Sequence, residues 1–71
     1  GVSTAAWSKA VIRVVVVDDE PLAREGLRLL LAEEADVTVI AEASNGREAL
    51  AVVQQHLPDV VFLDIQMPRL N

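Results

Sequence analysis

Apolar positions along this chain fall into three short continuous blocks, separated by two stretches in which they recur with a helical period. From Val11 to Val17 every residue except Arg13 is Val or Ile; an unbroken β-branched run of that length predicts a strand buried on both faces. It stops at Asp18-Asp19-Glu20-Pro21, and Pro suits the first position of a helix, where its missing N–H is not needed. Asp19 or Glu20 is then expected to cap that helix. Between Leu22 and about Glu34 a step of 100° per residue gathers Leu22, Ala23, Gly26, Leu27, Leu29 and Leu30 in one sector and sets Arg24 and Arg28 opposite. This predicts an amphipathic helix with one buried face and a solvated arginine face paired to Glu20 by i,i+4 spacing. Gly26 lies within the apolar sector at a cost of about 1 kcal/mol relative to Ala, for which close packing of helix on sheet is the expected compensation.

Ala35-Asp36 makes a turn, and Val37 to Ala41 is a second β-branched strand. Ser44-Asn45-Gly46 breaks it, and Asn45 with Glu48 has the spacing of a capping box. The helix that follows places Gly46, Ala49, Leu50, Val53 and Leu57 on one side and ends at Pro58. A third strand covers Asp59 to Leu63. The order β-α-β-α-β with short connections predicts an α/β fold with a parallel sheet and right-handed crossovers. Residues 11–71 read as one domain, preceded by a disordered or vector-derived arm over residues 1–10.

Composition narrows the function classes. The chain has 71 residues and no cysteine, so neither disulfides nor thiolate zinc can supplement a small core. With 52% apolar and 3% aromatic residues, that core is aliphatic. A net charge of -5, with six basic residues among eleven acidic ones, opposes sequence-independent binding to nucleic acid. No apolar run approaches the roughly 20 residues of a membrane helix, and Gly1 to Lys9 lacks the features of a secretion signal; a cytoplasmic location is expected.

The chemistry suggested by the chain sits where two strands end in carboxylates. Ligands of open α/β sheets gather at the carboxyl ends of the strands where the strand order reverses. With order 2-1-3, the ends of the first and third strands adjoin, and Asp18, Asp19 and Asp64 converge. Close carboxylates repel one another unless a cation or a retained proton intervenes. Oxygen-only ligation without His or Cys suits Mg²⁺, and a carboxylate such as Asp64 can accept a phosphoryl group. Each acid taken singly can equally be a solvated loop residue or a helix cap. His56, alone near a helix end, reads as structural, and Ser44 as a turn hydroxyl.

Taken together, Val17-Asp18-Asp19-Glu20-Pro21, Leu22-Ala23-Arg24-Glu25-Gly26-Leu27, Ala43-Ser44-Asn45-Gly46-Arg47-Glu48-Ala49-Leu50 and Pro58 to Pro68 resemble the first part of a response-regulator receiver domain of two-component signalling. The resemblance covers roughly Ile12 to Asn71. It implies that Asp64 is the phosphorylated aspartate, that Asp18 and Asp19 bind Mg²⁺ with Asp19 the direct ligand, that Gln66 lends its backbone carbonyl to the metal, and that Met67 and Pro68 shape the following loop. It implies a sensor histidine kinase as phosphodonor and no enzymatic turnover. The opening of the first helix resembles regulators with DNA-binding outputs of the LytTR or LuxR type, although this chain itself is not expected to bind DNA.

A complete receiver of this family has a flavodoxin-like sheet of five strands in order 2-1-3-4-5, with a hydroxyl residue ending the fourth and a lysine ending the fifth. This chain matches the first three strands only, a truncated version of the fold. Its third strand is then an apolar edge, which predicts self-association, most simply a two-fold dimer pairing residues 59–63 antiparallel. Three function classes follow: a phosphoacceptor receiver module, a phosphorylation-incompetent fragment that self-associates, and, with the least support from the residues, a small Mg²⁺-dependent phosphohydrolase.

Overall fold

The computed structural model describes residues 11–64. The expected arm over residues 1–10, and Gln66, Met67 and Pro68, lie outside the described residues. Three strands, β1 (Ile12–Val17), β2 (Val37–Ala43) and β3 (Val60–Leu63), alternate with two helices, α1 (Pro21–Ala32) and α2 (Gly46–His56). The strands are parallel and lie in the order β2-β1-β3. This is the α/β arrangement the hydrophobic pattern predicts, with β2 two residues longer.

The run Val14 to Val17 takes the centre, where its β-branched side chains are dry on both faces. Val14 to Val17 are 0–1% exposed, and neighbouring residues of a strand point to opposite faces. Val15 and Val17 join Ala43 in the core, with Ile40, Ala41, Ala49 and Val52 packed against them, so α2 covers that face. The register of β1 with β2 slips between Val14 and Val15, where Val14 is opposite Val39 but Val15 is opposite Ala41, passing over Ile40. Directly opposed residues of parallel strands share a face. The slip therefore sets Ala41 and Ala43 beside Val15 and Val17, and turns Glu42, opposite Val16, to the other face. In an unslipped ladder Glu42 would have opposed Val17 and pointed into the aliphatic core.

On that other face α1 departs from the amphipathic expectation. Leu22, Leu29 and Leu30 are 79%, 54% and 65% exposed, and a Cβ added to Gly26 would meet nothing within 4 Å. Close packing therefore does not explain the glycine. The half-buried stripe is instead Arg24, Leu27, Arg28 and Leu31, at the i, i+3, i+4, i+7 spacing of one helix face. On this stripe the carboxylate of Glu42 receives Arg24 Nε at 3.3 Å and Arg28 Nε at 3.2 Å, so the arginine side of α1 is paired to β2 beside Leu27 and Leu31. Neither arginine is paired to Glu20 as the spacing suggested. In α2 the inward positions are Ala49, Val52 and Val53, whereas Leu50 and Leu57 are exposed.

Helix starts and stops follow local chemistry. The Glu48 amide donates to Asn45 Oδ1 at 2.8 Å, while Glu48 Oε1 accepts from the Ser44 amide at 2.8 Å and the Ser44 hydroxyl at 2.7 Å. This is the expected capping box with its return arm displaced one residue upstream. At the other end Leu57 takes φ 49°, the left-handed conformation that ends helices, just before Pro58. The lone polar residue of β1 closes that end: Arg13 Nη1 donates to the Leu57 carbonyl at 2.8 Å and Nη2 to the His56 carbonyl at 2.6 Å. Among the described residues, no helix is long and apolar enough to cross a membrane.

Candidate functional site

Two strand ends meet at the carboxyl edge of the sheet. Val17 of β1 pairs with Leu63 of β3, and the Asp64 amide donates to the Val17 carbonyl at 3.1 Å. The ladder thus continues one step past β3 and fixes Asp64 beside Asp18. One carboxylate oxygen from each of Asp18, Asp19 and Asp64 lies within 4.8 Å of the other two. Strand order 2-1-3 is what joins residues 45 positions apart in the chain. Asp18 and Asp64 are half-buried and Asp19 is exposed.

Asp18 is held at three points. Its amide donates to the Ala43 carbonyl at 3.1 Å, its Oδ1 accepts from the Glu20 amide at 2.9 Å, and its carbonyl accepts from Arg24 Nη1 at 2.8 Å. The side-chain bond to Glu20 makes a turn that redirects the chain from β1 into α1. Glu20 takes the N-cap position in an extended conformation, but no side chain there accepts a helix N–H. The expected capping by Asp19 or Glu20 is therefore replaced by the turn at Asp18, and the carboxylate of Asp19 is not spent on a cap.

The donor set fits a hard divalent cation. It offers three carboxylates and no nitrogen or sulfur, within a separation comparable to the diameter of such an ion's oxygen shell, about 4.2 Å for Mg²⁺. A positive ion would also offset the repulsion among three acids held this close. Gln66 lies outside the described residues, so the position of its carbonyl is not part of this geometry. His56, by contrast, lies in the last turn of α2 with its carbonyl held by Arg13, a structural role at the opposite end of the sheet. Arg24 and Glu42 were not legible as site-supporting residues. The one available signal was a lone Glu within an otherwise aliphatic and Thr-containing strand, three residues before Asn45.

Comparison with known proteins places this geometry in a family. The response regulator receiver domain matches residues 14–71, and the chain belongs to that family. Its fold is the flavodoxin-like receiver fold over three strands and two helices. The transcriptional regulatory protein BtsR of Escherichia coli strain K12 is 52% identical over 61 residues, 86% of this chain and 26% of that protein. The response regulator domain of Thermotoga maritima CheB superposes with a TM-score of 0.80 at 41% identity, covering 86% of this chain and 46% of that one. A structure of the CheA3 P1 domain in complex with CheY6 from R. sphaeroides matches with a TM-score of 0.76 at 34% identity, over 83% of this chain and 46% of that one. The chain thus spans about a quarter of the length of BtsR and just under half of the solved chains. It is a receiver domain sequence of a two-component response regulator.

Proposed function

We propose that Asp64 is the phosphoacceptor of this receiver and that Asp18 and Asp19 hold the Mg²⁺ that accompanies phosphoryl transfer, with Gln66 contributing its backbone carbonyl. The observation that carries this reading is the convergence of the three carboxylates at the shared end of β1 and β3. The cation supplies positive charge against which an incoming phosphoryl group can be tolerated among three acids. A carboxylate oxygen of Asp64 attacks phosphorus, the new O–P bond forms as the P–N bond of a phosphoimidazole donor breaks, and the released nitrogen takes up a proton. The acceptor is modified once per transfer, so the chain acts as a signalling module rather than as an enzyme.

The donor is a sensor histidine kinase, and the transfer takes place in the cytoplasm. Family membership supports this, as does the likeness to a structure that holds a CheA3 domain together with CheY6. The likeness to BtsR favours transcription regulation as the output of the whole protein, exercised through a DNA-binding segment distinct from these residues. Intact-mass measurement after incubation with phosphoramidate and Mg²⁺ tests the acceptor assignment. The wild-type chain gains the mass of one phosphoryl group and Asp64→Asn gains none; a phosphorylated Asp64→Asn chain overturns the assignment.

A second reading has its own observation. Each residue of β3 is 39–45% exposed, none is charged, and β3 pairs only with β1 among the described residues. An apolar edge of this kind is a template for another strand, and a second copy offers an identical one. Two chains pairing β3 antiparallel about a two-fold axis complete a six-stranded sheet. Light scattering of the 71-residue chain at high micromolar concentration is expected to give twice the monomer mass. A monomer at that concentration rules the pairing out.

A further inference from the structure

The acidic pocket is supported by a residue that contributes no ligand to it. Arg24 stands on α1, and its guanidinium spans two groups: Nε meets Glu42 Oε1 at 3.3 Å and Nη1 donates to the Asp18 carbonyl at 2.8 Å. Its side chain is 21% exposed, against 43% for Arg28, which shares the same Glu42 carboxylate. The Asp18 carbonyl belongs to the peptide that joins the two acids. Its orientation therefore fixes how the Asp19 carboxylate is presented relative to those of Asp18 and Asp64. Glu42 in turn is on this face only because the register slip at Ile40 put it there.

We infer that Arg24 is a positioning residue for the cation pocket: anchored by Glu42, it holds the Asp18–Asp19 peptide in the orientation that lets the two carboxylates and Asp64 serve one ion. This inference rests on the reading of that pocket as a Mg²⁺ site. A second effect of Arg24 has the opposite sign. Its positive charge near the pocket repels a cation, so a purely electrostatic role predicts that removing it tightens Mg²⁺ binding. Positioning predicts weaker binding, because a ligand set left free to rotate must be ordered by the ion itself. Lysine keeps the charge but not the planar fork that reaches both groups at once, so Arg24→Lys separates the two effects. Arg28→Gln is the control, since Arg28 shares the Glu42 carboxylate while the Asp18 carbonyl is held by Arg24.

The experiment is a Mg²⁺ titration of the 71-residue chain and its variants followed by amide NMR, with the same spectra showing that each variant is folded. Arg24→Lys and Arg24→Gln are expected to raise the Mg²⁺ Kd on the order of tenfold, and to shift the Asp19 amide nitrogen in the ion-free state, because its peptide carbonyl loses the guanidinium donor. Arg28→Gln is expected to stay within about twofold of wild type, as an outer ion pair of small energetic weight. Arg24 variants that bind Mg²⁺ as tightly as wild type or more tightly overturn the inference, as does an Arg28→Gln chain weakened equally. If Arg24→Gln fails to fold, Arg24→Lys carries the test alone, with the Asp19 shift as its second reading. A wild-type chain that binds no Mg²⁺ at millimolar concentration overturns the pocket reading itself, and the inference with it.

Discussion

Arg13 and Asp59 are bound to each other twice, once through the Asp59 carboxylate and once from backbone to backbone. The Arg13 amide donates to Asp59 Oδ2 at 2.8 Å, and the Asp59 amide donates to the Arg13 carbonyl at 2.8 Å. With its guanidinium on the carbonyls of His56 and Leu57, Arg13 ties the start of β1 to the end of α2 and to the entry of β3. Charge-assisted bonds to carbonyls that a helix end leaves unpaired are the stronger kind. Arg13→Met keeps the aliphatic stem and loses all the guanidinium bonds, at a cost of about 1–2 kcal/mol after allowing for solvent screening. Urea unfolding followed by circular dichroism measures this, and Mg²⁺ affinity is expected to be unchanged, since the pocket lies at the other end of the sheet.

The capping arm of α2 makes stability depend on pH in a known direction. Hydrogen bonds from the Ser44 hydroxyl and then the Ser44 amide hold the Glu48 carboxyl below its ordinary value, against an opposing effect of desolvation and with a smaller contribution in the same direction from the Arg24 charge. A folded-state pKa depressed in this way adds stability that is fully present above the unfolded value of about 4.3 and is lost as pH falls through the folded one. Ser44→Ala removes the hydroxyl donor. Its melting temperature should lie below that of wild type at neutral pH, and the gap should close on acidification below pH about 4. A gap that stays constant with pH would show that the Ser44 hydroxyl does not act through Glu48.

Gly26 sits inside α1 without positive φ and with open space where a Cβ would stand. Gly26→Ala therefore recovers helix propensity without a clash, and is expected to stabilise the chain by about 0.8–1 kcal/mol. Thermal unfolding checks it. Loss of stability would mean that something packs there in solution.

Leu57 has the reverse problem. It holds φ 49° and is 72% exposed, so it bears the strain of the left-handed conformation with little burial in return. Leu57→Gly should raise stability by up to about 1 kcal/mol, again read by urea unfolding.

The three clustered acids predict opposite effects with and without the ion. Asp19→Asn removes one of three like charges, so the ion-free chain should become more stable, by at most about 1 kcal/mol given the exposure of Asp19. Mg²⁺ should raise the melting temperature of wild type by mass action on the folded state, and should raise that of Asp19→Asn much less. Differential scanning fluorimetry at fixed ionic strength, with and without Mg²⁺, reads both effects.

Much of this was legible from one dimension. A run of Val and Ile broken only by Arg13 could be dry on both sides only as a central strand, and alternation with two helical periods left a parallel sheet as the economical arrangement. That in turn placed Asp18 and Asp64 at neighbouring strand ends. The side of α1 that faces the sheet was not legible, because hydrophobic period reports which side of a helix is apolar and not what stands opposite it. Leu22, Leu29 and Leu30 met no layer among the described residues, whereas Arg24 and Arg28 met a carboxylate.

What the sequence by itself determined is therefore the element order, the central strand, the capping box at Asn45 and Glu48, and the identity of the three acids. Those depend on local propensity and on a period that each segment carries within itself. Only the tertiary structure decided the register slip at Ile40, the turning of Glu42 away from the core, the rotation of α1 and the hold of Arg24 on the Asp18 carbonyl. Each of these depends on how β1, β2 and α1 pack on one another, and so on which face of a strand a single skipped residue selects.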